Sequence, residues 1–150
     1  MAPAREKVAR AWPGLLLLVL GCTEGTRKVE TIPPVAGYDA PIQFTGEWLG
    51  EFAEITGTLT IKKLDEGRYY GLFSGDREPV QYVLNMDQSR TAADAGSVFG
   101  NRVLFTWQDG RGGRGGGWVL INREDTALTG EFGFAESSTG AGSLAFIRVQ

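Results

Sequence analysis

The chain has 150 residues, with 15 Lys+Arg against 18 Asp+Glu and a net charge of −3. That length suits one domain and is short for two. With no His and a single Cys, the chain alone cannot build a Ser-His-Asp triad, a Cys-His pair, a His-ligated haem, a Cys/His zinc site or an internal disulfide. Gly is abundant at 22 residues without a collagen-like period, which predicts many tight turns and so many short strands.

Residues 1–21 read as a secretory signal. Arg5, Lys7 and Arg10 make a basic start, and Leu15 to Leu20 form an apolar core. The apolar stretch from Ala11 to Leu20 is about half the ~20 residues that span a bilayer. It ends in Leu18-Val19-Leu20-Gly21-Cys22. This run resembles the lipobox of bacterial lipoproteins, in which apolar residues and a small residue precede an obligatory Cys. The resemblance implies that Cys22 becomes the first mature residue and carries acyl chains such as palmitate. Several chains on one Cys hold a protein firmly, where a single chain holds it marginally. Thr23 follows, where an Asp would imply inner-membrane retention in enteric bacteria. The expected location is therefore the outer membrane, facing the periplasm or the cell surface.

Removing residues 1–21 takes away Arg5, Lys7, Arg10 and Glu6, leaving 12 basic against 17 acidic residues, about −5. A mildly acidic domain lacks the basic footprint of a nucleic-acid binder. Residues 22–44 read as the lipidated Cys and a flexible tether, because Pro33, Pro34 and Pro41 oppose helix and sheet. Fully extended, ~20 residues reach up to ~70 Å.

Residues 45–150 read as an all-β domain, because the apolar period becomes two. Eight strands are predicted, at 46–54, 57–64, 68–73, 79–86, 101–107, 118–122, 127–134 and 142–149. Trp48 and Phe52 alternate with Glu47 and Glu51 in the first, and Val103, Phe105 and Trp107 alternate with Arg102, Leu104 and Thr106 in the fifth. Residues 87–97 read as a polar loop, and 108–117 as a Gly-rich connection. Short gaps leave no room for the crossovers that parallel strands require. The expected architecture is an antiparallel up-and-down barrel of eight strands, with a two-sheet sandwich as the alternative.

In a closed barrel the start of the first strand meets the end of the last, which brings Arg148 near Trp48. An Arg guanidinium over an indole face is favourable by ~0.5–2 kcal/mol. Gly46-x-Trp48 with a late basic residue resembles the calycins, the lipocalin, avidin and fatty-acid-binding protein group. The lipocalin Thr-Asp-Tyr segment and the helical lid of fatty-acid-binding proteins are absent from the sequence. Gly46-x-Trp48-x-Gly50 is also similar to the Gly-x-Trp-x-Gly-x-Gly of the haem-binding nitrobindins. Phe52 replaces their third Gly, and without His there is no iron ligand of that type, so haem is excluded.

No carboxylate spacing singles out an acid–base pair, so no enzymatic activity, cofactor or metal is expected. The run Asp109 to Gly117 lacks the Lys-Ser/Thr and the helix of a phosphate loop. Arg77, Arg102, Arg111, Arg114 and Arg123 read mostly as solvated charge near turns. Trp107 and Trp118 flank the Gly-rich connection. With Asn122 in the same row as Trp118, and Arg111 and Arg114 above, they suggest a pocket for a small apolar or amphipathic molecule. The alternative is a solid barrel that binds an envelope partner or inhibits an enzyme.

Overall fold

The structure is a computed structural model that describes residues 31–150. The signal segment and Cys22 lie outside the described residues. Eight strands follow in order: β1 (Gly46–Phe52), β2 (Ile55–Asp65), β3 (Arg68–Gly75), β4 (Gln81–Ala93), β5 (Gly96–Gln108), β6 (Arg114–Ile121), β7 (Ala127–Phe132) and β8 (Gly142–Arg148). Each pairs antiparallel with the next, and β8 returns to β1, closing the barrel. Closure pairs the strands of the barrel wall on both sides, and only the far end of the β4–β5 hairpin, past Asp87 and before Arg102, runs beyond the ladders with β3 and β6.

The period-two pattern sends alternate side chains inward. Trp48, Phe52, Leu59, Phe73, Leu84, Phe105, Val119, Leu128 and Phe146 are among 18 buried apolar residues that form one core. The interior is filled by a size match across strands. Trp107 lies opposite Gly115, and Phe105 opposite Gly117. A Cβ on Gly117 would overlap the Phe105 ring, and one on Gly115 would sit 2.7 Å from the Trp107 indole nitrogen. Much of the Gly content therefore serves strand packing, where the sequence had suggested turns alone. A ring placed over a glycine fills the space that a second large side chain would overfill.

Four sequence assignments are corrected. The polar loop at 87–97 is the far end of the β4–β5 hairpin, which turns only at Asp94-Ala95. This ribbon needs few apolar residues because it has little core to face. It is held instead by Arg90, whose guanidinium lies 4.3 Å from the Phe99 ring centre and donates to the Ser97 hydroxyl and carbonyl oxygens. The Gly-rich connection is shorter than 108–117, because β6 begins at Arg114. Asp109 ties that turn, its Oδ1 accepting from the Arg111 and Gly113 amides at 2.7 and 2.9 Å. Phe134 lies beyond β7 and is 63% exposed.

The fourth correction concerns the tether. From Pro33 to Thr45 the chain is fastened to the barrel. Ala36 and Asn101 exchange two hydrogen bonds, Ala36 N to Asn101 Oδ1 and Asn101 N to the Ala36 carbonyl, each 2.8 Å. Arg102 Nη1 donates to the Pro33 carbonyl, and the Tyr38 hydroxyl to the Ile121 carbonyl. Phe44 is fully buried. The prolines oppose regular structure, but an irregular segment can still dock once its polar groups find partners.

The β1–β2 turn is strained. Ala53 and Glu54 have φ of 54° and 64° between the paired residues Phe52 and Ile55, as in a two-residue hairpin that favours Asn-Gly. The double substitution Ala53→Asn/Glu54→Gly should raise stability by about 1–2 kcal/mol. The urea midpoint measures this, and an unchanged or lower midpoint would contradict it.

Candidate functional site

The two ends of the barrel differ. At one end the docked segment 33–45 forms a plug, and Arg148 fastens it. The Arg148 guanidinium stacks 4.2 Å from the Trp48 ring centre. Its nitrogens donate to the carbonyls of Asp125 at 2.6 Å, Thr45 at 2.7 Å and Gln43. Trp48 Nε1 donates to the Phe44 carbonyl at 3.0 Å. Gly46, with φ of 131°, completes the clasp: a Cβ there would lie 2.7 Å from Arg148 Nη1. The spacing Gly46-x-Trp48 thus has a local cause. The glycine clears the guanidinium that covers the tryptophan two residues on.

Just inside the plug, the Tyr69 hydroxyl donates to Gln88 Oε1 at 2.9 Å, and Gln88 Nε2 donates to the Gly100 carbonyl. Burial pushes the Tyr69 phenol above its ordinary pKa, which keeps it a neutral donor. These contacts tie the plug and the end of the core together, and beside them Asp125 Oδ1 is buried without a hydrogen-bond partner.

The structure does not bring together the residues proposed for a ligand. Trp107 points inward, is 5% exposed, and donates from Nε1 to the Gly133 carbonyl at 3.0 Å. Trp118 sits in register with Leu104 and Glu131, in the row that alternates with buried Gly117, Val119 and Ile121. It therefore belongs to the outer face. Its indole nitrogen is shielded and has no hydrogen-bond partner. Asn122 lies at the other end of β6 and holds the β6–β7 turn. Its Oδ1 accepts from the Thr126 and Ala127 amides, and its Nδ2 donates to Thr126 Oγ1. The two tryptophans and Asn122 thus occupy an inner face, an outer face and a distant turn.

Arg111 and Arg114 do lie near the mouth. Arg114 pairs with Glu136 at 3.2 Å, with both side chains mostly exposed, so the pair adds little stability. Arg114, Gln108 and Glu136 line an open groove of about 430 Å³ outside the mouth, beside Gly115 and Trp107. The ring ladder of the core ends here. Phe132 and Trp107 meet Phe134 edge-on at 5.9 and 5.8 Å. The loop that carries Phe134 is tied to β6 through Gly133 N to the Gly116 carbonyl and Ala135 N to the Arg114 carbonyl.

Among the described residues, no group of three or more Asp, Glu, Cys or His could hold a metal ion. Sequence reasoning missed Phe44, Tyr38 and Asn101. Ile42 and Phe44 do extend the inward alternation of Trp48, but the nearby prolines hid it.

The geometry defines a class: a closed eight-stranded barrel with a filled core, plugged at one end by its own N-terminal segment. No family model, curated protein or solved structure matches the chain.

Proposed function

We propose that the chain is a lipid-anchored envelope protein of bacteria that acts through its outer surface on a partner, and that it encloses no ligand. The observation that carries the surface reading is the filled core, in which Phe52 alone meets Phe73, Tyr82, Phe105, Trp107 and Phe132. A small eight-stranded barrel is either packed or just wide enough for one small ligand, and these rings occupy the space a ligand would need. The clasp of Gly46, Trp48 and Arg148 supports the calycin-like reading of the architecture.

The anchor reading rests on Cys22 in its lipobox-like context. The wall is apolar inside and polar outside, the reverse of a membrane-spanning barrel, which suits a water-facing domain. Ten residues lie between Cys22 and Pro33, so the plugged end would sit within about 40 Å of the acyl chains. That is much closer than a free tether to residue 44 would allow.

Two measurements test this. Cys22→Ala should abolish labelled-palmitate incorporation and release the protein from the detergent phase; retained label overturns the anchor. Titration of the full chain with fatty acids should leave tryptophan fluorescence without a saturable change. A saturable change lost on Trp107→Phe would restore the internal-ligand reading.

A further inference from the structure

The outer wall is chemically two-sided. Across β1, β8 and β7, Leu49 lies opposite Ile147, and Ile147 opposite Ala127. Val149 continues the row of Ile147. Leu49, Ile147 and Val149 are 51%, 68% and 40% exposed, half of the six large apolar side chains exposed among the described residues. The other three, Leu64, Val98 and Phe134, belong to separate parts of the surface. Glu47 and Glu51 flank Leu49 along β1, and Glu131 stands two residues beyond Thr129, the partner of Ala145. On the adjoining strand the outer positions are Thr56, Thr58 and Thr60, and the first cation is Lys62, toward the plugged end. The strand arginines Arg68, Arg90 and Arg102 are on β3, β4 and β5, around the opposite side, while Arg114 on β6, the strand beside β7, is paired with Glu136, and Arg123 in the β6–β7 turn lies over the Tyr38 ring. Arg148 is turned inward onto Trp48.

We infer that this β1–β8–β7 wall docks a partner protein that presents basic side chains around an apolar centre. Two exposed aliphatic side chains in direct register make an apolar centre, and short Thr and Ala side chains leave it accessible. Three carboxylates without an interleaved cation give the rim one sign. Charge of one sign around an apolar centre selects partners of the opposite sign and speeds their encounter. It also opposes a second copy of this chain, whose carboxylates would face these. In this wall β7, β8 and β1 are each paired on both sides, so the partner must pack on the face and cannot add a strand there. If Cys22 anchors the plugged end, the wall stands to the side of the barrel axis and remains accessible.

The inference rests on the surface-acting reading and names its surface. The test uses the purified full chain carrying Cys22→Ser and a short fluorescent amphipathic Leu/Lys peptide as probe, with a Leu/Glu peptide as control. Binding is read by anisotropy at two salt concentrations. The Leu/Lys peptide should bind, and binding should weaken with salt. Glu47→Lys/Glu51→Lys and, separately, Leu49→Ser/Ile147→Ser should each weaken it roughly tenfold or more. All four positions are exposed, and circular dichroism verifies that each variant folds. Leu72→Ser on β3 should leave binding unchanged. Equal binding by the wall variants, or equal binding of the Leu/Glu peptide, overturns the proposal. A concentration-dependent dimer lost on Ile147→Ser would assign the wall to a second copy and also overturn it. The fatty-acid titration does not depend on Leu49 or Ile147, so the filled-core reading and this one fail separately.

Discussion

Trp48→Ala should destabilise the domain by about 3–5 kcal/mol, the range for removing a fully buried large aromatic side chain. Trp48 has no exposed surface, and its indole nitrogen bonds the Phe44 carbonyl. Its loss leaves a cavity at the seam where β1 meets β8. Arg148→Ala should also be costly, because the carbonyls of Gln43, Thr45 and Asp125 lose a charged donor. The two effects should not add. Each variant removes the same stacking contact, so the double variant should be less destabilised than the sum by about 0.5–2 kcal/mol. Guanidinium unfolding of the wild type, both single variants and the double variant provides the cycle. Strict additivity would show that the guanidinium and the indole act independently.

Phe44→Ala should cost a similar ~3–5 kcal/mol. This prediction separates a docked plug from a free tether. In a tether the substitution would change stability by less than ~0.5 kcal/mol, as at ordinary surface positions. Phe44 is completely buried and lies 5.8 Å from the Tyr69 ring centre, so its removal opens the end of the core. Hydrogen exchange offers a second readout. The Asn101 amide, which bonds the Ala36 carbonyl, should lose protection in Phe44→Ala before the amides paired in the middle of β5 do. Unchanged stability and unchanged protection would return residues 33–44 to the role of spacer.

Both predictions concern contacts between residues far apart in the chain, and they were legible from sequence to different degrees. Trp48 and Arg148 could be paired in advance, because period-two alternation with short links implies antiparallel neighbours, and closure then sets the first strand against the last. Trp48, Phe52, Phe105 and Trp107 could be placed on the inner face by the same alternation. The docking of Phe44 was hidden. Its ring partner Tyr69 is on β3 and meets it only once β1, β2 and β3 have assembled. The pairing of Ala36 with Asn101 likewise depends on β5 presenting the Asn101 amide free of the ladder.

The candidate site diverged for a related reason. Sequence proximity placed Trp107 and Trp118 on either side of one Gly-rich stretch, and their separation in space depended on where the turn ended. With β6 beginning at Arg114, glycines 115 and 117 take the inward positions that face Trp107 and Phe105, and Trp118 is carried to the outside. Glycine has no side chain to declare a face, so a run of three leaves the phase of the alternation open. Asn122 was placed by that same phase, and it became a turn residue.

Local patterning by itself determined the all-β class, the strand number and the antiparallel order, because strand alternation and link length are properties of neighbouring residues, and it left a closed barrel and a two-sheet sandwich as alternatives. Only the tertiary structure decided that the barrel closes, that the interior is full, that residues 33–45 close one end, and that carboxylates flank an apolar row on one wall. Each of these depends on which strands lie side by side. Packing and surface charge are sums over residues that meet only across the barrel, so no window along the chain contains them.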